Sequence, residues 1–358
     1  MDEPENSWGS VLKEFDEEVK RATEQSQRTG SPVPANVDSI LDRKIAHLFA
    51  FTHRPLVIYA DDFFSSQKAA VAGVDLQILP SDKDGFVEIT RDLPRGPLDV
   101  ILHSPGGLLE ATEAIVSILR DKFNHLRFII PNIAKSAATM LALSGDEIVM
   151  ASSAELGPID PQFNFPRTDG TIIPSPAQAI IDQFEGAERE PSKNPSRLPA
   201  WIPILPMYGP SLYQDCKNAL KLSKDVVRTW LMEYMFKELP KKQKINRARR
   251  VVNYFANHKH FKSHGRKIGI REIEKNLNNL LKLTKLEDDQ IFHNRLMGVY
   301  FTLFHIFQRG TAFKIFWNNV GKKFVRHVQG GLVQIPVQIP VQRPPQSSPP
   351  AESQIPSN

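Results

Sequence analysis

Three short stretches of this chain carry residue types that could do chemistry together. The first is His103-Ser104-Pro105-Gly106-Gly107. Glycine reaches backbone angles closed to other residues and lets a ligand approach the chain closely. The first N–H groups of a helix have no partner inside it. A Gly-Gly turn that opens a helix can therefore bind developing negative charge, and Gly106 and Gly107 are candidate oxyanion-hole residues. The competing reading is a plain turn. The second stretch is Asn132–Thr139, NIAKSAAT, in which Ser136 precedes a run of small residues. A serine in that place is most often a helix N-cap. Its small neighbours Ala137 and Ala138, and its position one strand-helix unit after the Gly-Gly turn, make Ser136 the candidate nucleophile. The third is Leu156–Gln162, LGPIDPQ, where two prolines make a rigid loop around Asp160, a candidate cap, orienting group or base.

These loops need elements to hold them. Leu56–Ala60 (LVIYA), Leu98–His103 (LDVILH), Leu126–Ile130 (LRFII) and Asp146–Ala151 (DEIVMA) read as strands. A helical pattern spans Leu108–Lys122, and a small-residue helix runs from Ser136 to Leu143. Strands alternating with helices of this length predict an α/β fold with a mostly parallel sheet. In such sheets ligands bind beyond the carboxyl ends of the strands, and the loops at 103–107 and 131–136 both leave such ends.

The chain has 358 residues, 41% hydrophobic and 24% charged, as in an ordinary globular protein. Residues 1–40 read as a polar appendage, 41–330 as the folded domain with its C-terminal helices, and 331–358 as a Pro-rich, unpacked tail. Cys216 is the single cysteine, which excludes a disulfide framework; it reads as an inert thiol. The net charge of +5 concentrates in Lys237–Arg250 and Lys259–Lys267. The run KKQKINRARR reads as the solvated face of a helix whose apolar side is Val251, Val252, Tyr254 and Phe255, so a nucleic-acid partner is not expected. No secretory signal and no apolar run of spanning length is read, which points to the cytoplasm with peripheral membrane contact left open. Neither a metal nor a cofactor is expected.

The order SPGG, KSAAT, DEIVM and LGPIDPQ resembles the serine dehydrogenase proteinase family, related to signal peptide peptidase A and the Clp protease proteolytic subunit. The resemblance is strong within 98–162 and diffuse over roughly 45–320, and SHGRKIGIREIEKNL (Ser263–Leu277) is similar to the segment that closes these peptidase domains. It implies a Clp protease/crotonase-like parallel-sheet core of repeated ββα units with added helices, with Ser136 matching the nucleophile and Gly106 and Gly107 the oxyanion turn. Ala137 and Ala138 stand where the family more often has glycines.

The general base stays open at this stage. A serine hydroxyl needs a neighbour to take its proton. Lys193 lies roughly where a signal peptide peptidase places its lysine, His264 sits in the closing segment, and Asp160 falls near the Clp-type histidine position. Lys135 is adjacent to Ser136, but neighbouring side chains on a turn diverge. Three functions compete: an ATP-independent serine endopeptidase acting on peptide or protein substrates, an acyl-CoA-binding crotonase relative, and an inactive assembly protein. A homo-oligomer is expected, with Leu198–Met207 and the aromatic helix Phe292–Phe307 as its apolar contacts.

Overall fold

The computed structural model describes residues 6–166, 171–204, 206 and 209–328. The expected Pro-rich tail lies outside the described residues, as do three positions within and beside the 198–207 stretch. The strands are β1 (Leu56–Asp61), β2 (Gly96–His103), β3 (Phe123–Ile130), β4 (Ile133–Ala134), β5 (Glu147–Met150), β6 (Glu155–Leu156), β7 (Gln162–Pro166), β8 (Ile172–Pro176), β9 (Leu283–Lys285), β10 (Ala312–Asn318) and β11 (Lys323–His327). The main sheet runs β11-β10-β1-β2-β3-β5-β9. Pairs β1/β2, β2/β3, β3/β5 and β5/β9 are parallel, whereas β10 is antiparallel to both β1 and β11. Every residue of β1 and of β10 is buried. That is why β1 begins as the unbroken apolar run LVIYA rather than an alternation: its two faces are both covered.

A second, smaller layer follows the first. Strands β2, β3 and β5 each lead into a short extended piece: Ser104 bridges Ala134, β4 pairs β6, and Leu156 bridges Ile268. A helix comes next in two cases, Leu109–Lys122 after β2 and Ala137–Leu143 after β3 and β4. Long strand, short strand, helix is the expected ββα repeat, and the short layer is where the chemistry-bearing loops meet. The helix Leu109–Lys122 buries Ala111, Thr112, Ile115, Val116 and Leu119, the i, i+3/i+4 stripe of a helix on a sheet.

Two expectations change. The described part of the expected 1–40 appendage, residues 6–40, is packed: Val11, Phe15 and Ile40 are buried against Phe301 and Ile306. The helix Gln290–Arg309, expected to offer an oligomer contact, buries Phe292, Leu296, Val299, Leu303 and Phe307 within the chain's own core. Leu198 and Ile202, from the other expected contact, are exposed. Strand β10 was not expected at all. Its buried Lys314 masked the apolar and aromatic signal of its other residues up to Trp317 in AFKIFWN. Lys314 is satisfied by Asp82 at 2.8 and 3.1 Å and by the Gln77 carbonyl at 2.7 Å. Asp82 also accepts from the Leu79 amide and the Tyr59 hydroxyl. This buried ion pair thus fixes the 77–79 segment, which matters below.

Candidate active site

One wall of the cleft is made by backbone. The segment fixed by Lys314 and Asp82 pairs with the Gly-Gly turn: the Ile78 amide donates to the Gly106 carbonyl at 2.7 Å, and the Leu108 amide to the Ile78 carbonyl at 2.9 Å. A Cβ on Gly107 would lie 2.3 Å from the Ile78 nitrogen. Gly106 has φ +100, and a Cβ there would lie 2.5 Å from the Lys135 carbonyl oxygen and 2.7 Å from the Ser136 Cβ. Both glycines are therefore required by close approach, one to the supporting segment and one to the serine turn itself.

Ser136 has φ 52 and ψ −123, a region that costs a non-glycine residue about 1–3 kcal/mol. Its side chain makes no capping hydrogen bond to the helix Ala137–Leu143, so the N-cap reading does not describe it. A serine held in a strained turn between strand and helix, with a hydroxyl not occupied by capping, is the arrangement of a nucleophile elbow. The turn is held from below: the Thr139 hydroxyl donates to the Ala134 carbonyl at 2.7 Å and accepts from the Gly157 amide at 2.9 Å. Among the described residues no hydrogen bond occupies the amide of Gly107 or of Ala137. The Gly106 amide, by contrast, donates to the Ser104 hydroxyl at 3.3 Å. Gly107 and Ala137 therefore line the cleft with unoccupied amides, whereas the motif reading paired Gly107 with Gly106.

The other wall is made by side chains. Asp160 is buried, and its two oxygens face two imidazoles: Oδ1 is 2.8 Å from His264 Nδ1, and Oδ2 is 3.0 Å from His258 Nδ1. Burial alone would raise its carboxyl. The hydrogen bond and charge of His264, followed by those of His258, outweigh burial and hold it below its ordinary value. An ionised carboxylate only accepts, so each imidazole presents a protonated Nδ1 to it, and in the neutral ring Nε2 is then the acceptor. The His264 turn is clamped to the serine elbow by Lys135, whose Nζ donates to the Gly265 carbonyl at 2.9 Å and pairs with Glu155 at 3.0 Å. Lys135 is thus a strut, not a base.

Ser136, Gly106, Gly107, Ala137, Asp160 and His264 all line one cleft of about 560 Å³. Its apolar lining includes Phe63, Leu76, Met140, Ile159 and Phe163. Lys193 is elsewhere: it ends the helix Ala177–Lys193, is exposed, and is not among the lining residues. Two residues read as rival bases, Asp160 and His264, are partners instead. His258 was missed; the run HKHFKSH offered it among three histidines with nothing local to choose between them. Cys216 is buried in the helix Leu212–Glu233, and burial pushes its thiol up to about 11.

Residues 71–185 match the family model of the ClpP-like SDH-type serine proteinases. The resemblance read from the motifs is thereby confirmed on an independent footing. The matched segment contains the Gly-Gly turn, Ser136 and Asp160; His258 and His264 lie beyond it. Two uncharacterised proteins of Methanocaldococcus jannaschii are similar to parts of the chain. One is 39% identical over 109 residues, covering 30% of this chain and 36% of that protein; the other is 44% identical over 83 residues, covering 23% and 28%. The chain therefore spans about a third of the length of the curated relatives it matches. Among solved structures, a mutant of the 1510-N membrane-bound stomatin-specific protease aligns at 15% identity and a TM-score of 0.34, covering 58% of this chain and 74% of that one. The ClpP protease catalytic domain from Plasmodium falciparum aligns at 10% identity and a TM-score of 0.33, covering 66% and 88%. Likeness at that level transfers no residue roles. Among the described residues no helix is long and apolar enough to cross a membrane, and no cluster of side chains could hold a metal ion.

Proposed function

We propose that this protein is an ATP-independent serine endopeptidase using a Ser136-His264-Asp160 triad. The observation that carries the reading is the 2.8 Å bond between Asp160 and His264 Nδ1 in the same cleft as an uncapped, strained Ser136. Asp160 keeps the His264 proton on Nδ1, so Nε2 can take the Ser136 proton as Oγ attacks the scissile carbonyl. The tetrahedral oxygen then meets the amides of Gly107 and Ala137, and the His264 imidazolium gives its proton to the leaving amine. Water repeats the sequence in reverse to release the acyl group. The substrate is a peptide or unfolded protein segment, and the apolar lining of the cleft suits apolar side chains. The exposed Ile172, Ile173, Leu198 and Ile202 support association of identical chains.

The test is intact-mass labelling with a fluorophosphonate. The expected result is a single adduct in the wild type, absent from Ser136→Ala and from His264→Ala, with thermal melting of the variants close to wild type. Labelling that persists in Ser136→Ala would refute the assignment.

A further inference from the structure

The proposed triad leaves one feature unused, the second histidine on Asp160. We propose that His258 is a positioning residue of this site, holding Oδ2 of Asp160 so that Oδ1 stays on His264. The inference rests on the triad reading above.

The Asp160 side chain is fully buried, and among the described residues its hydrogen-bond partners are the two imidazoles. A carboxylate turns easily about its last torsion, which has a broad, two-fold profile. One partner on one oxygen fixes a distance but not the plane. Two partners on two oxygens fix both. A buried carboxylate oxygen without a partner is costly, so without His258 the group would turn to share Oδ1 or seek water, and the His264 ring would follow it. His258 is itself well placed to hold rather than react. It is not among the residues lining the cleft, and its side chain is 14% exposed. It opens the short helix His258–Phe261, whose start is tied by the Asn257 side chain to the His260 amide and whose end is closed by Lys262 at φ 64. The preceding turn is stitched to the Asp160 loop by the Ile159 amide, which donates to the Phe255 carbonyl at 3.0 Å. Both ends of the His258–Asp160 contact are therefore anchored to the same piece of backbone. The segment His258–His264 thus includes two histidines, six apart, that grip a single carboxylate from two sides.

Two measurements test this. The first is the rate of Ser136 labelling by the fluorophosphonate in His258→Phe, His258→Asn and His264→Ala. Outer hydrogen-bond partners of metal ligands are typically worth about 10- to 100-fold, and a slowing of that order is expected in His258→Phe. His258→Asn, which keeps an N–H donor near the Nδ1 position, should recover most of the rate. Wild-type labelling in His258→Phe, or equal slowing in both variants, overturns the positioning role while leaving the triad standing. Wild-type labelling in His264→Ala overturns the triad, and this inference with it. The second measurement rests first on a count of resonances in the wild type, whose fold is not in question. The proton NMR spectrum of the wild type should show two imidazole N–H resonances far downfield of the amides, one lost in His258→Asn and the other in His264→Asn. A single such resonance in the wild type would mean that His258 does not hold Asp160.

Discussion

The two walls of the cleft achieve rigidity by opposite means. The wall bearing Ser136 is backbone pressed on backbone: Gly106 against the serine turn, Gly107 against Ile78. The wall bearing His264 is a relay of side chains around one carboxylate. The buried charges under the two walls differ in the same way. Asp160 has a hydrogen-bond partner on each oxygen and is held below its ordinary value. Asp61, at the end of β1, is fully buried with no hydrogen bond among the described residues; its nearest cation is Lys314 Nζ at 3.6 Å. Burial pushes it up to about 7 against the opposing charge of Lys314. The contrast shows what decides a buried carboxylate's charge in this fold. Both are desolvated, and the one with aligned donors stays ionised.

The sharpest way to break the side-chain wall is Asp160→Asn. The amide can present its N–H to His264 and favour the wrong tautomer, and a fall of about 10⁴-fold in turnover is expected. The fold should survive, because a same-sized polar group remains. Turnover and a melting curve on the same sample check both halves; near-normal turnover would remove Asp160 from the mechanism.

The backbone wall should break differently, losing activity and stability together. Gly106→Ala places a methyl 2.5 Å from the Lys135 oxygen at a φ of +100. Displacing the serine turn from the oxyanion amides should cost about 10²–10³ in rate, and the strained φ about 1–3 kcal/mol of stability. Full activity with lowered stability would show that the turn supports the fold alone.

Asp61→Asn sharpens the comparison of the charges. The folded-state value of Asp61 is raised, so its contribution to stability is fully present below the unfolded value near 4 and is lost as pH rises to about 7. The variant has nothing to ionise. Its stability relative to wild type should therefore improve between pH 4 and pH 8, by roughly 4 kcal/mol or less. Urea midpoints at the two pH values measure this difference of differences; a pH-independent difference would place Asp61 among ordinary ionised carboxylates. Lys193→Ala marks the smallest effect. Lys193 is exposed and outside the cleft, and kcat/KM for a peptide substrate should stay within error of wild type. A substantial loss would reopen the lysine as base.

The legible part of this protein was the part built from near neighbours in the chain. The apolar runs of β1, β2, β3 and β5 set strand positions to within a few residues, because a strand buried on both faces has a local signature. The Gly-Gly turn and Ser136 were visible because close backbone approach and small neighbours are local requirements. Strand β10 was not, since a buried Lys314 reads as polar until Asp82, 232 residues away, is known to meet it.

The same division runs through the site. The sequence alone determined the candidate nucleophile, the turn facing it and a short roster of bases. Tertiary structure set which of the candidates stand together. It brought His264 onto Asp160 across 104 residues and His258 onto the same carboxylate across 98, left Lys193 in solvent, and turned the Gly106 amide onto Ser104. The physical reason is that a hydrogen bond depends on position and direction in space, which sequence spacing specifies only within one element. Between elements those are set by how the short layer stacks on the sheet.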